Sequence, residues 1–134
     1  CITMEQSYHD YYRGEIYYAD LNPIFGHEQG GVRPVLILQN DLGNYYSPTV
    51  IVTVATRRTF KKPSQPTHVT LDCIEGLPGQ SQFQLETLRT VDKRRLRQRV
   101  GKLTEEQMSE IDAALRVSLY LDEDDYLPTE VEAP

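Results

Sequence analysis

Two short apolar runs constrain this chain most. Val35-Leu36-Ile37-Leu38-Gln39 and Thr49-Val50-Ile51-Val52-Thr53-Val54-Ala55 are nearly unbroken β-branched and aliphatic stretches, each bounded by turn residues. A strand with one wet face alternates, whereas a continuous apolar run of this length marks a strand covered on both faces. Asp41-Leu42-Gly43-Asn44 and Ser47-Pro48 read as turns between the two. Upstream, 15–21 reads as a strand with Ile16 and Tyr18 on one face and Tyr17 and Ala19 on the other, ended by Asn22-Pro23. Further short strands are predicted over 67–72, 81–85, 87–91 and 98–103, with Glu75-Gly76-Leu77-Pro78-Gly79 as a turn. Thr104-Glu105-Glu106-Gln107 matches a capping box, and Met108, Ile111, Leu115 and Leu119 then recur at helical spacing. The fold class expected is mainly β, a small barrel or sandwich closed by one C-terminal helix.

At 134 residues the chain fits one domain. Residues 1–12 are polar and tyrosine-rich and are expected to be a flexible segment, 13–121 the folded domain, and 122–134 an acidic flexible tail. No stretch reaches the length of a membrane span and no apolar leader is evident, so a cytoplasmic protein without membrane association is expected. Cys1 and Cys73 build neither a disulfide framework nor a zinc site.

The net charge of −6 argues at first against a nucleic-acid partner. Its distribution reverses that. Asp122, Glu123, Asp124, Asp125, Glu130 and Glu132 lie in the last thirteen residues, and without them acids and bases are equal in number. Eleven of the fourteen bases fall in two segments: Arg57, Arg58, Lys61 and Lys62; then Arg89, Lys93, Arg94, Arg95, Arg97, Arg99 and Lys102, opposed in sequence only by Asp92. Such clustering suits phosphate contacts, and equally suits two solvated faces.

Gly26-His27-Glu28-Gln29-Gly30-Gly31-Val32-Arg33-Pro34 places polar side chains on a glycine-rich loop leading into the first apolar run. Glycine frees the backbone to turn and Pro34 fixes φ at the start of the strand. Arg33 thus sits where a flexible loop meets a rigid element, a place where functional groups concentrate. The chain has no GxxxxGK[ST], no HExxH, no GxSxG and no Cys/His set at metal spacing. What remains is a reaction run by arginine and hydroxyl groups, with no cofactor and no metal.

Tyr17-Tyr18-Ala19-Asp20-Leu21-Asn22-Pro23 followed by the loop resembles the opening of MazF/PemK-type toxins, the mRNA interferases of type II toxin–antitoxin systems. The likeness continues through Gln39–Asn44, Ser47–Val52, Pro66–Val69 and Leu88–Lys93 into the terminal helix, covering roughly 13–121 in order and spacing. The resemblance implies an SH3-like barrel with a C-terminal helix, a homodimer, a cognate MazE-like antitoxin as partner, and a metal-independent, sequence-specific endoribonuclease acting on single-stranded RNA.

Carried across, the family's catalytic arginine falls on Arg33 and its catalytic threonine on Thr56, with Glu28 as a further catalytic candidate. Cleaving RNA without metal uses the 2′-hydroxyl as nucleophile, leaving a 2′,3′-cyclic or 3′-phosphate and a 5′-hydroxyl. Arg33 offers a permanent cation with forked donors for phosphate oxygens, and Thr56 a hydroxyl donor beside it. A guanidinium with a pKa above about 12 is a poor base, so Arg33 is assigned to charge stabilisation and the proton carrier stays open between Glu28 and His27. Phe25 is a candidate for stacking on a base. His27, Gln29, Arg57 and Arg58 are candidates for contacting RNA, and Glu86 and Thr87 for reading base edges. A gyrase-poisoning module on the same barrel is the competing function.

Overall fold

The computed structural model describes residues 11–22, 30–57 and 66–122. These residues form seven strands and two α-helices: β1 (Glu15–Asp20), β2 (Val32–Ile37), α1 (Asp41–Tyr46), β3 (Thr49–Arg57), β4 (His68–Leu71), β5 (Ser81–Gln84), β6 (Arg89–Asp92), β7 (Leu96–Lys102) and α2 (Glu105–Leu119). A single 3₁₀ turn, Lys93–Arg95, joins β6 to β7.

The ladder runs β4-β5-β3-β2-β1-β7, with β6 also paired to β3. All its pairings are antiparallel. The sheet curls without a β6–β7 ladder, so the barrel is open along that seam rather than closed by hydrogen bonds. The two apolar runs are covered on both faces except at Ile51, which is 37% exposed. Val35, Ile37, Val50, Val52 and Val54 enter one cluster with Tyr17, Ala19, Leu21, Val91 and Leu96. Ile16, Leu36, Leu38 and Ala55 enter a second with Val69, Leu71, Phe83, Leu85, Ile111 and Ala114. The β4–β5 hairpin and α2 therefore cover the face of the sheet opposite the first cluster. Alternation in β1 falls as its pattern demands, Ile16 in one cluster and Tyr17 and Ala19 in the other.

The capping box at α2 is formed: Gln107 N–H donates to Thr104 Oγ1 at 3.1 Å, and Thr104 N–H to Gln107 Oε1 at 2.9 Å. Ile111 and Ala114 are the buried residues of this helix, with Met108 and Leu115 packed at the margin. Leu119, expected on the same stripe, is 51% exposed in the last turn, before the helix ends at Tyr120 in the left-handed region.

The 41–44 turn is instead the helix α1. Asn40 caps it, accepting from Gly43 N–H at 2.7 Å. Fully buried Asn44 exchanges hydrogen bonds with Gln39 at 3.0 and 3.1 Å, and its carbonyl accepts from Lys93 Nζ. These local bonds, with the long-range one from Lys93, outweigh the poor helix propensity of Gly43. Arg13 links this corner to α2: its N–H bonds Asp41, its Nε the Leu38 carbonyl at 2.8 Å, and its Nη2 Asp112 at 2.8 Å.

Candidate active site

The β1–β2 hairpin holds Arg33. The β1–β2 ladder reaches Ala19↔Arg33 and Asp20↔Val32, so β2 begins three residues before the apolar run and Arg33 lies inside the strand. The chain beyond is pinned at its base. Leu21 N–H donates to the Gly31 carbonyl at 2.9 Å, Gly31 N–H to Asn22 Oδ1 at 3.1 Å, and Asn22 N–H to Asp20 Oδ1 at 3.1 Å. Gly31 adopts φ 80°, a backbone that an L side chain strains. Phe25, His27, Glu28 and Gln29 lie outside the described residues, as do Arg58, Lys61 and Lys62.

Arg33 is half-buried, and its Nε donates to the Gly30 carbonyl at 3.0 Å. Among the described residues its terminal nitrogens have no partner, so the two Nη groups keep their donors for a ligand.

Thr56 stands across a fork in the sheet. The β2–β3 ladder ends at Val35↔Val54, and from Ala55 onward β3 pairs with β5, Thr56 opposite Gln82. Pro34 has no N–H to donate, and the ladder to β3 begins one residue past it. Arg33 and Thr56 are each two residues beyond the last paired couple, one on each arm of the fork. By alternation Arg33 shares its face with Val35 and Ile37, and Thr56 with Val54 and Val52, all members of the same cluster. A half-buried cation and a half-buried hydroxyl thus stand at the polar rim of one apolar face, with exposed Arg57 next along β3. Such a pair can donate to adjacent oxygens of one phosphate.

Gln82 was not singled out from sequence. It is 8% exposed, sits opposite Thr56 and accepts from Gln84 Nε2 at 3.4 Å. Only the polar alternation of Ser81-Gln82-Phe83-Gln84 hinted at it.

Glu86 and Thr87 lie in the turn between β5 and β6, both exposed. The Glu86 carboxylate is engaged: Thr67 Oγ1 donates to it at 2.8 Å, and His68 Nε2 lies 3.0 Å away. Partial burial alone would raise its pKa, but the hydrogen bonds from His68 and Thr67 together outweigh that and hold it below the usual glutamate value. Thr87 donates its N–H to the Gln84 carbonyl at 2.9 Å, and its own carbonyl accepts from Thr53 Oγ1 at 3.0 Å.

Most of the second basic cluster is tied to the fold. In sequence only Asp92 opposed it; in space Glu15 and Asp20 of β1 do as well. Arg94 pairs with Asp92 at 3.0 Å, a hydrogen bond that holds the aspartate below its ordinary pKa. Arg97 pairs with Asp20 at 3.3 Å and Arg99 with Glu15 at 3.0 Å. Arg95 donates to the Asp20 carbonyl at 3.0 Å and to the Asn22 carbonyl. Lys93 is buried, its Nζ 5.8 Å from the centre of the Tyr11 ring, and burial lowers its pKa. Among the described residues no three His, Cys, Asp or Glu side chains are grouped to hold a metal ion, and no helix is long and apolar enough to cross a membrane.

Comparison with known proteins gives the family and agrees with the fold. The family described as PemK-like, MazF-like toxin of type II toxin-antitoxin system matches residues 12–119. The chain is 48% identical over 110 residues to Endoribonuclease EndoA of Bacillus subtilis, covering 81% of this chain and 94% of that protein. Among solved structures it is similar to a mycobacterial endoribonuclease in complex with its cognate antitoxin, at TM-score 0.69 and 26% identity over 84% of this chain and 97% of that one. It is also similar to MazF from Deinococcus radiodurans, at TM-score 0.68 and 26% identity over 83% and 99% of the two chains. With that extent of match and this fold, the chain belongs to the PemK/MazF-like toxins of type II toxin–antitoxin systems.

Proposed function

We propose that this protein is the toxin of a bacterial toxin–antitoxin pair and a metal-independent, sequence-specific endoribonuclease that cleaves single-stranded mRNA and arrests translation. The observation that carries the reading is the placement of Arg33 and Thr56 on the two arms of the β2–β3 fork, at the rim of one face. The 2′-oxygen attacks phosphorus as its proton is removed, the bond from phosphorus to the 5′-oxygen breaks as that oxygen takes up a proton, and the products are a 2′,3′-cyclic phosphate and a 5′-hydroxyl. Arg33 and the Thr56 hydroxyl stabilise the charge growing on the non-bridging oxygens, a role that a permanent cation fills without titrating. Glu28 takes part in proton transfer from the 2′-hydroxyl, with His27 beside it in sequence. Phe25, His27, Gln29, Arg57, Arg58, Glu86 and Thr87 bind the strand around the cleaved bond. For Glu86 this requires RNA to compete with Thr67 and His68 for the carboxylate.

Neutralisation by a MazE-like antitoxin, a homodimeric assembly, a cytoplasmic location, and the division into segments 1–12, 13–121 and 122–134 belong to the same proposal. The relatives named as endoribonucleases, one of them in complex with its cognate antitoxin, support it. Purified protein incubated with single-stranded RNA in EDTA, alongside a gyrase supercoiling assay, tests the reading. Cleaved RNA with unaffected gyrase is expected; intact RNA with inhibited gyrase would replace it with the poisoning module.

A further inference from the structure

Arg95 comes from the 3₁₀ turn between β6 and β7, far in sequence from the Arg33 loop. It is half-buried, and its Nη1 donates to two backbone carbonyls, those of Asp20 and Asn22. Both carbonyls belong to the strand end that leads into the loop. From there the contacts continue without a gap. Asn22 Oδ1 accepts Gly31 N–H at 3.1 Å, the Gly31 carbonyl accepts Leu21 N–H at 2.9 Å, and the carbonyl of neighbouring Gly30 accepts Arg33 Nε at 3.0 Å.

We propose that Arg95 is a positioning residue for catalysis: it fixes the outgoing arm of the β1–β2 loop and, through Asn22 and the Gly30-Gly31 pair, sets the direction of the Arg33 guanidinium. This rests on the reading of Arg33 as the phosphate-binding cation. The chemistry favours it over a purely structural tie. The loop base carries a left-handed Gly31, a residue with no side chain to hold it, so its orientation depends on its hydrogen-bond partners. Arg97 reaches the same corner only through the 3.3 Å pair with the Asp20 carboxylate and is exposed, which makes it the natural control.

Arg95→Met and Asn22→Ala interrupt the relay at two points. Single-turnover cleavage of an RNA oligonucleotide should fall roughly tenfold to a hundredfold in each, the usual consequence of a misplacement near 1 Å, with KM changed by less than about threefold. Because both act through one relay, the double variant should be little worse than the poorer single one. Arg97→Gln should stay within about twofold of the parent rate. A folded Arg95→Met at the parent rate, or effects of the two variants that multiply, overturns the proposal. If Arg95→Met does not fold, Asn22→Ala decides alone by the same rate criterion. A second readout needs no cleavage: the Arg33 Nε–H resonance should exchange slowly with solvent in the parent and faster in both variants. Unchanged exchange overturns the proposal even if the parent protein cleaves no RNA, an outcome that would instead defeat the endoribonuclease reading.

Discussion

Arg33→Lys separates charge from geometry at the site. The lysine keeps the positive charge, so long-range attraction to the RNA backbone is retained. It loses the planar fork, and with it the Nε donor that ties the guanidinium to the Gly30 carbonyl at 3.0 Å. That tether is worth about 0.5–1.5 kcal/mol net. Its loss should lower the melting temperature by no more than roughly 5 °C in a domain of this size. Catalysis should suffer far more. One ammonium cannot hold two phosphate oxygens in the paired geometry, and removing one preorganised donor from a developing oxyanion costs about 2.7–4 kcal/mol, or 10²–10³ in kcat. The assay is single-turnover cleavage of a fluorescence-quenched RNA oligonucleotide in EDTA, with thermal unfolding of the same sample. A lysine variant cleaving within about threefold of the parent would show that charge alone suffices and refute the clamp.

Two predictions concern the scaffold. A Cβ on Gly101 would overlap the Glu75 carbonyl oxygen and come within 3.0 Å of Glu75 Cβ. Gly101→Ala should therefore push the 72–80 turn off β7 and destabilise by about 2–3 kcal/mol, roughly 10 °C by calorimetry, whereas an unchanged melting temperature would mean that the turn yields freely. Tyr17 is 6% exposed with its hydroxyl 3.1 Å from Glu15 Oε1, and burial first, then the Glu15 charge, raise its pKa well above the usual tyrosine value. The folded state thus holds this proton after the unfolded chain has lost it, so its contribution to stability is complete below about pH 10 and declines as pH rises above that, by at most about 1.4 kcal/mol per pH unit. Tyr17→Phe should flatten that alkaline slope in denaturant titrations, and an identical slope would show that Tyr17 is not its source.

Much of this architecture was legible because the apolar runs are unambiguous. A continuous stretch such as Val50–Ala55 has little wet side to spare, and apart from exposed Ile51 it is buried, its aliphatic residues divided between two clusters. The capping box at Thr104 is equally local and forms as written. What escaped depends on partners distant in the chain. Helix α1 contains Gly43 and is sustained through Asn44, whose carbonyl accepts from Lys93 on the far side of the sequence. The basic run after Arg89 looked unopposed because Glu15 and Asp20, which pair with Arg99 and Arg97, lie on another strand. Arg33 could be picked out from its glycine-rich surroundings and Thr56 from the family resemblance, while the physical link between them comes from the register of β2 on β3. Gln82 carries no signal beyond a polar place in a strand, and its position opposite Thr56 is purely topological.

If Arg33 and Thr56 at the fork between β2 and β3 act as proposed, they stabilise attack by the RNA's own 2′-oxygen. Mass spectrometry of the ends made from a defined single-stranded RNA in EDTA tests it most directly. Attack by the 2′-oxygen leaves a 2′,3′-cyclic or 3′-phosphate on one fragment, a 5′-hydroxyl on the other, and no cut where the attacking nucleotide is 2′-deoxy. A 5′-phosphate, or cleavage that survives the 2′-deoxy substitution, would contradict it.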